Sequence, residues 1–158
     1  MKPLSFIIIT YDRPEDMLAL AVNISKLDRA SELLEEVIVI NNASSADYGD
    51  VESFMASQKE IPFVYVHSAQ NLGVAKGRNF AIRQGRAPIL IMLDDDAELQ
   101  GRDALVRLME AFDLPNTKDP KAIVSFRVIY YNSLKMQVNA FPHKRFSEYE
   151  KRHFFETH

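Results

Sequence analysis

Ile89-Leu-Ile-Met-Leu-Asp94-Asp95-Asp96 is the stretch that decides the fold: an apolar run that stops abruptly in three carboxylates. An apolar run this short, stopped by acids, reads as a buried strand of a parallel sheet. The acids then lie at the carboxyl end of that strand, where open α/β sheets bind their ligands. Side chains alternate along an extended chain, so Asp94 and Asp96 face one way and Asp95 the other. Two carboxylates on one face suit a hard divalent cation such as Mg²⁺ or Mn²⁺. Such a cation is most useful beside a diphosphate, whose charge it neutralises. A solvated loop following a core strand is the plainer alternative.

Outward from this stretch, strand and helix signals alternate. Leu4 to Ile9 forms a strand pattern. Pro14 suits a first helical turn, Glu15 and Asp16 favour that end, and Met17, Leu20, Ala21, Ile24 and Leu27 follow at helical spacing. Glu36 to Ile40 predicts a second strand, stopped by Asn41-Asn-Ala-Ser-Ser45. A short helix is expected over Val51 to Gln58, a strand over Phe63 to Val66, and a helix from Val74 to Arg83 after the Asn71-Leu-Gly73 break. The Ile89 strand, a helix from Asp103 to Phe112 and a strand from Ala122 to Tyr130 complete the series. This order predicts an α/β fold with a mostly parallel sheet, helices on both faces and right-handed crossovers. From Met136 the periodicity weakens, and Phe141 to His158 mixes aromatics, bases and acids, as solvated segments or parts of larger surfaces do.

The 158 residues suffice for one domain with a real core. A net charge of −3 gives no footprint for nucleic acid. The chain has no cysteine, which excludes disulfides, thiolate zinc sites and cysteine nucleophiles. No apolar run approaches the roughly 20 residues of a membrane helix, and Leu4 to Ile9 is too short for a signal peptide core. A cytoplasmic protein is the expectation.

Every segment with unusual polar chemistry follows a strand, so a parallel sheet would gather all of them at one edge. Thr10-Tyr11-Asp12-Arg13 offers a hydroxyl, an aromatic face for a nucleobase and a guanidinium for a carboxylate or phosphate. The same residues also suit a helix start capped by Thr10 or Asp12. Asn41 and Asn42 can read a base edge or simply stabilise a turn. Gly73, Lys76, Gly77, Arg78 and Asn79 make a basic helix start that favours an anion or an exposed basic face. Their spacing matches neither G-x-G-x-x-G nor a P-loop.

Four motifs now fall in order: Phe6-Ile-Ile-Ile-Thr-Tyr-Asp-Arg13, Val37-Ile-Val-Ile-Asn-Asn-Ala-Ser44, Asn71-Leu-Gly-Val-Ala-Lys-Gly-Arg-Asn79 and Met92-Leu-Asp-Asp-Asp96. In order and spacing the chain, over about residues 4 to 100, resembles the family 2 glycosyltransferases. The resemblance implies a GT-A fold, a Rossmann-like and mostly parallel sheet with helices on both faces. Residues 1–135 would form its nucleotide-sugar-binding core, and 136–158 the start of a truncated acceptor-side subdomain. It implies an inverting, metal-dependent transferase of polysaccharide biosynthesis with a nucleotide-diphospho-sugar donor, UDP or dTDP first, and Mg²⁺ or Mn²⁺ as cofactor. The chain alone need not be active.

By position, the resemblance places Thr10, Tyr11 and Arg13 in the nucleoside pocket and Arg78 beside the base or diphosphate. Asp94 and Asp96 match the D-x-D motif, Asp96 as metal ligand and Asp94 on the ribose or the metal shell. Asp95, the middle residue, belongs to the same nucleotide-sugar site with a more structural part. Two departures stand out. The family's usual aspartate for the base N3–H is Asn41 here, a neutral acceptor, weaker than a charged one by about 1 kcal/mol. The family's general base has no match; Glu148, Glu150 and Glu156 lack its surroundings. The acceptor implied is a glycan or lipid-linked molecule, which the basic, aromatic segment from Phe141 would suit, with peripheral association at the inner face of the membrane. A non-catalytic nucleotide-sugar-binding domain is the alternative. A receiver domain fits less well, because its first strand should end in an acid pair rather than Thr-Tyr-Asp.

Overall fold

A computed structural model describes residues 1–113, 128–130 and 132–135. At its centre runs β1 (Leu4–Thr10), a β-branched and aromatic strand in which only Ile9 escapes full burial. It pairs in parallel with β2 (Leu34–Asn41) on one side and β4 (Ile89–Asp94) on the other; β3 (Phe63–His67) lies beyond β2. The sheet order is β3-β2-β1-β4, all parallel.

That order dictates where the helices go. From β1 to β2 to β3 the chain steps one way, and right-handed crossovers place α1 (Pro14–Ser25) and α3 (Gly49–Ser57) on one face, where they pack together. From β3 to β4 it steps back, so α4 (Gly73–Ile82) covers the other face. There Ala81 joins Ile7, Ile38 and Ile40 in a buried cluster. The reversal falls between β1 and β4, and the carboxyl ends of those two strands border the crevice where such sheets take ligands.

Gly77 lets α4 approach closely: a Cβ there would lie 3.2 Å from Cδ1 of Ile9. At the opposite edge of the sheet a buried carboxylate ties three segments together. Glu36 accepts from the Ser5 hydroxyl (2.7 Å) and the Arg86 N–H (2.7 Å) and pairs with the Arg86 guanidinium (2.6 Å). Its desolvation is thus matched by charge and hydrogen bonds.

Several expectations need correction. A four-residue helix, α2 (Ala30–Leu33), precedes β2, which begins at Leu34 rather than Glu36. α1 ends at Ser25, and Leu27 stays buried on a turn beyond it, since an apolar residue after a helix end can mimic one more helical position. Neither Thr10 nor Asp12 caps α1; its N-cap is Arg13, without a side-chain bond. β4 is not sealed on both faces, because Met92 is 54% exposed at an edge of the described sheet. Of the expected strand over Ala122 to Tyr130, residues 122–127 lie outside the described residues, and Val128–Tyr130 is not an extended strand.

The compact units of the chain are Met1–Glu110 and Ala111–His158. The described sheet belongs to the first. The last helix among the described residues, α5 (Ala104–Asp113), buries Ala104, Leu105 and Leu108. No helix of the described residues is long and apolar enough to cross a membrane.

Candidate functional site

At the carboxyl ends of β1 and β4 lies a cleft of about 420 Å³. Thr10, Tyr11 and Arg13 from the β1–α1 loop line it, with Asn42 after β2, Val74 and Arg78 of α4, and Asp94, Asp95 and Asp96 after β4. Ile9 and Leu93 add apolar surface. The four polar segments that the sequence spread over more than eighty positions therefore meet at one place.

The β1–α1 loop is held by the loop after β2. Asp12 has a φ of +52°, a left-handed conformation that Asp tolerates better than most residues. Its N–H donates to the Ser44 hydroxyl (3.0 Å), and its Oδ1 accepts from the Ser45 N–H (2.7 Å), the Ser45 hydroxyl (3.1 Å) and the Ala46 N–H (3.0 Å). These donors, the Ala46 N–H foremost, lower its pKa below the ordinary carboxylate value. Beneath them the buried Tyr48 hydroxyl lies 2.6 Å from the Thr10 hydroxyl and accepts from the Arg13 N–H at 3.1 Å. Tyr11 is left 48% exposed, with its ring available to stack on a planar ligand.

The two asparagines split in role. Asn41 is buried and fully engaged: its Oδ1 accepts from the Ser44 N–H (2.8 Å), and its Nδ2 donates to the Tyr65 hydroxyl (2.7 Å). Burial raises the Tyr65 pKa, opposed by the Asn41 bond and helped by Glu52. The amide at position 41 thus supplies a donor to the Tyr65 hydroxyl, which a carboxylate could not. Asn42 instead fixes the start of α4, donating to Asn71 Oδ1 (3.0 Å) and accepting from the Leu72 N–H (2.8 Å). Gly73 completes that turn with a φ of +69°. Of the pair only Asn42 borders the cleft.

β4 ends at Asp94, and Asp95 and Asp96 stand on the turn after it; Asp95 is buried, while Asp94 and Asp96 are exposed. Arg13 spans the cleft to Asp96 (3.0 Å) and Asp95 (3.4 Å). Arg78 holds Asp94. Burial raises the Asp95 pKa, against the Thr10 hydroxyl and Arg13, which lower it. Asp95 first and Asp96 second keep the Arg13 guanidinium more firmly protonated. Among the described residues no group of three or more carboxylates or histidines forms a ready metal cage. Mg²⁺-type sites do not need one, since one or two carboxylates plus substrate phosphates suffice. Asp94 and Asp96 are the hard oxygen donors that fit such an ion.

The sequence model of Glycosyl transferase family 2 matches residues 5–157. The chain belongs to glycosyl transferase family 2. A Haemophilus influenzae relative is 29% identical over 140 residues, spanning 89% of this chain and 74% of that protein. The uncharacterized glycosyltransferase YfnE of Bacillus subtilis is 33% identical over 78 residues, 49% of this chain and 19% of its own length.

Among solved structures, the mannosyltransferase PcManGT of Pyrobaculum calidifontis, in complex with GDP-Man and Mn²⁺, superposes with a TM-score of 0.66 at 24% identity. It covers 73% of this chain and 34% of its own. S. aureus TarS 1-349 in complex with UDP-GlcNAc gives a TM-score of 0.62 at 18% identity, covering 84% and 41%. The chain of this family 2 member thus spans well under half of those structures, and the likeness establishes its GT-A fold.

Sequence reasoning brought Thr10, Tyr11, Arg13, Arg78, Asp94, Asp95 and Asp96 to one edge, and the structure gathers all of them around one cleft. It placed Asn41 there too, where the structure buries its side chain instead. It did not single out Tyr48, read Asp12 as a helix cap rather than the acceptor that holds the 44–46 loop, and left Asn42 open between a base edge and the turn that it stabilises. An aromatic set among turn residues, Asp47-Tyr48-Gly49, was the available signal for the first. Glu148, Glu150 and Glu156 lie outside the described residues.

Proposed function

We propose that this chain supplies the donor site of an inverting, metal-dependent glycosyltransferase that takes a nucleotide-diphospho-sugar. The observation that carries the proposal is the convergence of an exposed aromatic ring, two arginines and an acidic triplet in one cleft at the β1/β4 switch point. Each group matches one part of such a donor. Tyr11 offers a stacking face to the base, with the Thr10 hydroxyl and Asn42 near it. Arg13 and Arg78 offer guanidinium forks to the diphosphate. Asp94 and Asp96 would hold a divalent cation, which supplies charge neutralisation to the diphosphate as it departs.

The reaction is a single displacement. A base removes the proton of an acceptor hydroxyl, the oxygen bonds to the anomeric carbon from the face opposite the diphosphate, and the bond from that carbon to the diphosphate oxygen breaks. Negative charge grows on the leaving group, so guanidiniums aimed at it bind the transition state better than the ground state. A glycan or lipid-linked hydroxyl is the proposed acceptor class.

Isothermal titration calorimetry with UDP, dTDP and GDP, each with Mn²⁺ and with EDTA, tests the donor site. GDP and UDP are the nucleotides of the donors in the mannosyltransferase and TarS complexes. Binding of one nucleotide that depends on Mn²⁺ and is lost in Asp96→Ala is the expected result. Equal affinity with and without Mn²⁺ in both proteins would remove the metal from the proposal. Donor binding without release of nucleoside diphosphate in a turnover assay would favour a binding module over an enzyme.

A further inference from the structure

All three carboxylates of the cleft already have cationic partners. Arg78, from α4, holds Asp94, while Arg13, from the β1–α1 loop, holds Asp96 at 3.0 Å and Asp95 at 3.4 Å. The guanidiniums needed for a diphosphate are thus the ones that sit on the carboxylates needed for a cation. A divalent cation arriving alone has to displace a guanidinium and share the cleft with it, at a cost in charge repulsion. A diphosphate arriving alone meets arginines whose donors are in use, beside carboxylates that repel it. When both arrive together, each supplies the partner that the other displaces.

We propose, on the basis of the nucleotide-sugar reading above, that Arg13 and Arg78 are exchangeable counter-ions. They neutralise Asp94, Asp95 and Asp96 in the conformation described, and pass to the diphosphate oxygens when a divalent cation takes Asp94 and Asp96. The cation and the nucleotide then raise each other's affinity reciprocally, as linkage requires. The exchange is easy because the pairs are exposed: Arg78 and Asp94 side chains are 37% and 69% accessible, and Arg13 and Asp96 are 51% and 56%. Exposed pairs hold weakly, so each release is expected to change an affinity about two- to fivefold. Asp95, with a side chain only 10% accessible, stays in place as the anchor to which Arg13 can return.

The test measures binding rather than turnover. Mn²⁺ affinity is read by electron paramagnetic resonance of the free ion, and UDP and GDP affinity by calorimetry, in the parent, in Arg78→Gln and in Asp94→Asn. Arg78→Gln should bind Mn²⁺ without nucleotide about two- to fivefold more tightly than the parent. Asp94→Asn, which frees Arg78, should bind nucleotide in EDTA more tightly by a similar factor. A cleft merely weakened by substitution would lose both affinities. If either variant fails to tighten its ligand while the parent shows Mn²⁺-dependent nucleotide binding, the exchange is overturned and the donor-site reading stands. If the parent binds no nucleoside diphosphate under any condition, the donor-site reading falls and the exchange falls with it.

Discussion

The phenol oxygen of Tyr48 lies 2.6 Å from the Thr10 hydroxyl and accepts the Arg13 N–H at 3.1 Å, so one buried group sets the two ends of the β1–α1 loop. Between those ends stands Tyr11, and beyond them the Arg13 guanidinium crosses to Asp95 and Asp96. Removing the hydroxyl leaves the Arg13 N–H and the Thr10 hydroxyl without this partner. Tyr48→Phe should destabilise the fold by about 1–2 kcal/mol, seen as a lower urea midpoint. It should also weaken nucleotide binding in the fully folded variant. Lost stability with unchanged nucleotide affinity would show that Tyr48 supports the fold but does not position the site.

The Asp12 carboxylate carries a pH dependence. Its folded pKa lies below the ordinary value of 3.8, because the Ala46 N–H and the Ser45 donors favour the ionised form. A lowered acid contributes stability that is fully present above its unfolded pKa and lost as pH falls through the folded one. Asp12→Asn keeps a residue that tolerates positive φ but removes the charge. Its urea midpoint should lie below the parent's at pH 7, and the two should converge as the pH falls below the ordinary carboxylate range. A gap independent of pH would mean that shape, not charge, holds the 44–46 loop.

Restoring an acid at position 41 tests why an amide stands there. Asn41 donates to Tyr65 through Nδ2, and a carboxylate can only accept. Asn41→Asp would remove the amide donor to the Tyr65 hydroxyl and would bury a charge at a site 2% exposed. A loss of about 1–3 kcal/mol is expected in chemical denaturation. Affinity for UDP should not rise, because the side chain faces Tyr65 and Ser44 rather than the cleft. A clear gain in UDP affinity would return position 41 to the nucleotide site.

Glu36 provides the contrast at the opposite edge of the sheet. Glu36→Ala removes the acceptor of the Ser5 hydroxyl and the Arg86 N–H and the partner of the Arg86 side chain. Arg86 is 60% accessible and regains water, so the loss should be about 2–3 kcal/mol rather than that of a stranded buried charge. Nucleotide affinity of the folded variant should match the parent. A changed affinity would reveal coupling between the two edges of the sheet.

Much of this protein was legible in its residues. Apolar runs ending in polar clusters specify parallel strands with chemistry at their carboxyl ends, because burial and backbone pairing are local consequences of composition and period. Asp95 is buried between exposed Asp94 and Asp96, but β4 ends at Asp94, and from the turn beyond it Asp95 and Asp96 both meet Arg13 rather than facing opposite ways. The sequence could not decide which polar groups face the cleft and which hold the loops. Asn41 and Asn42 are adjacent and chemically identical, yet one satisfies Tyr65 and Ser44 while the other pins the start of α4 beside the cleft. Asp12 looked like a helix cap and instead gathers three donors from more than thirty residues away. Hydrogen bonds of this kind depend on where separate strands place their loops, and strand order is a property of the whole sheet. The pairing of Arg13 and Arg78 with the aspartates has the same origin: only the β3-β2-β1-β4 order brings the end of β1 and the face of α4 to the end of β4.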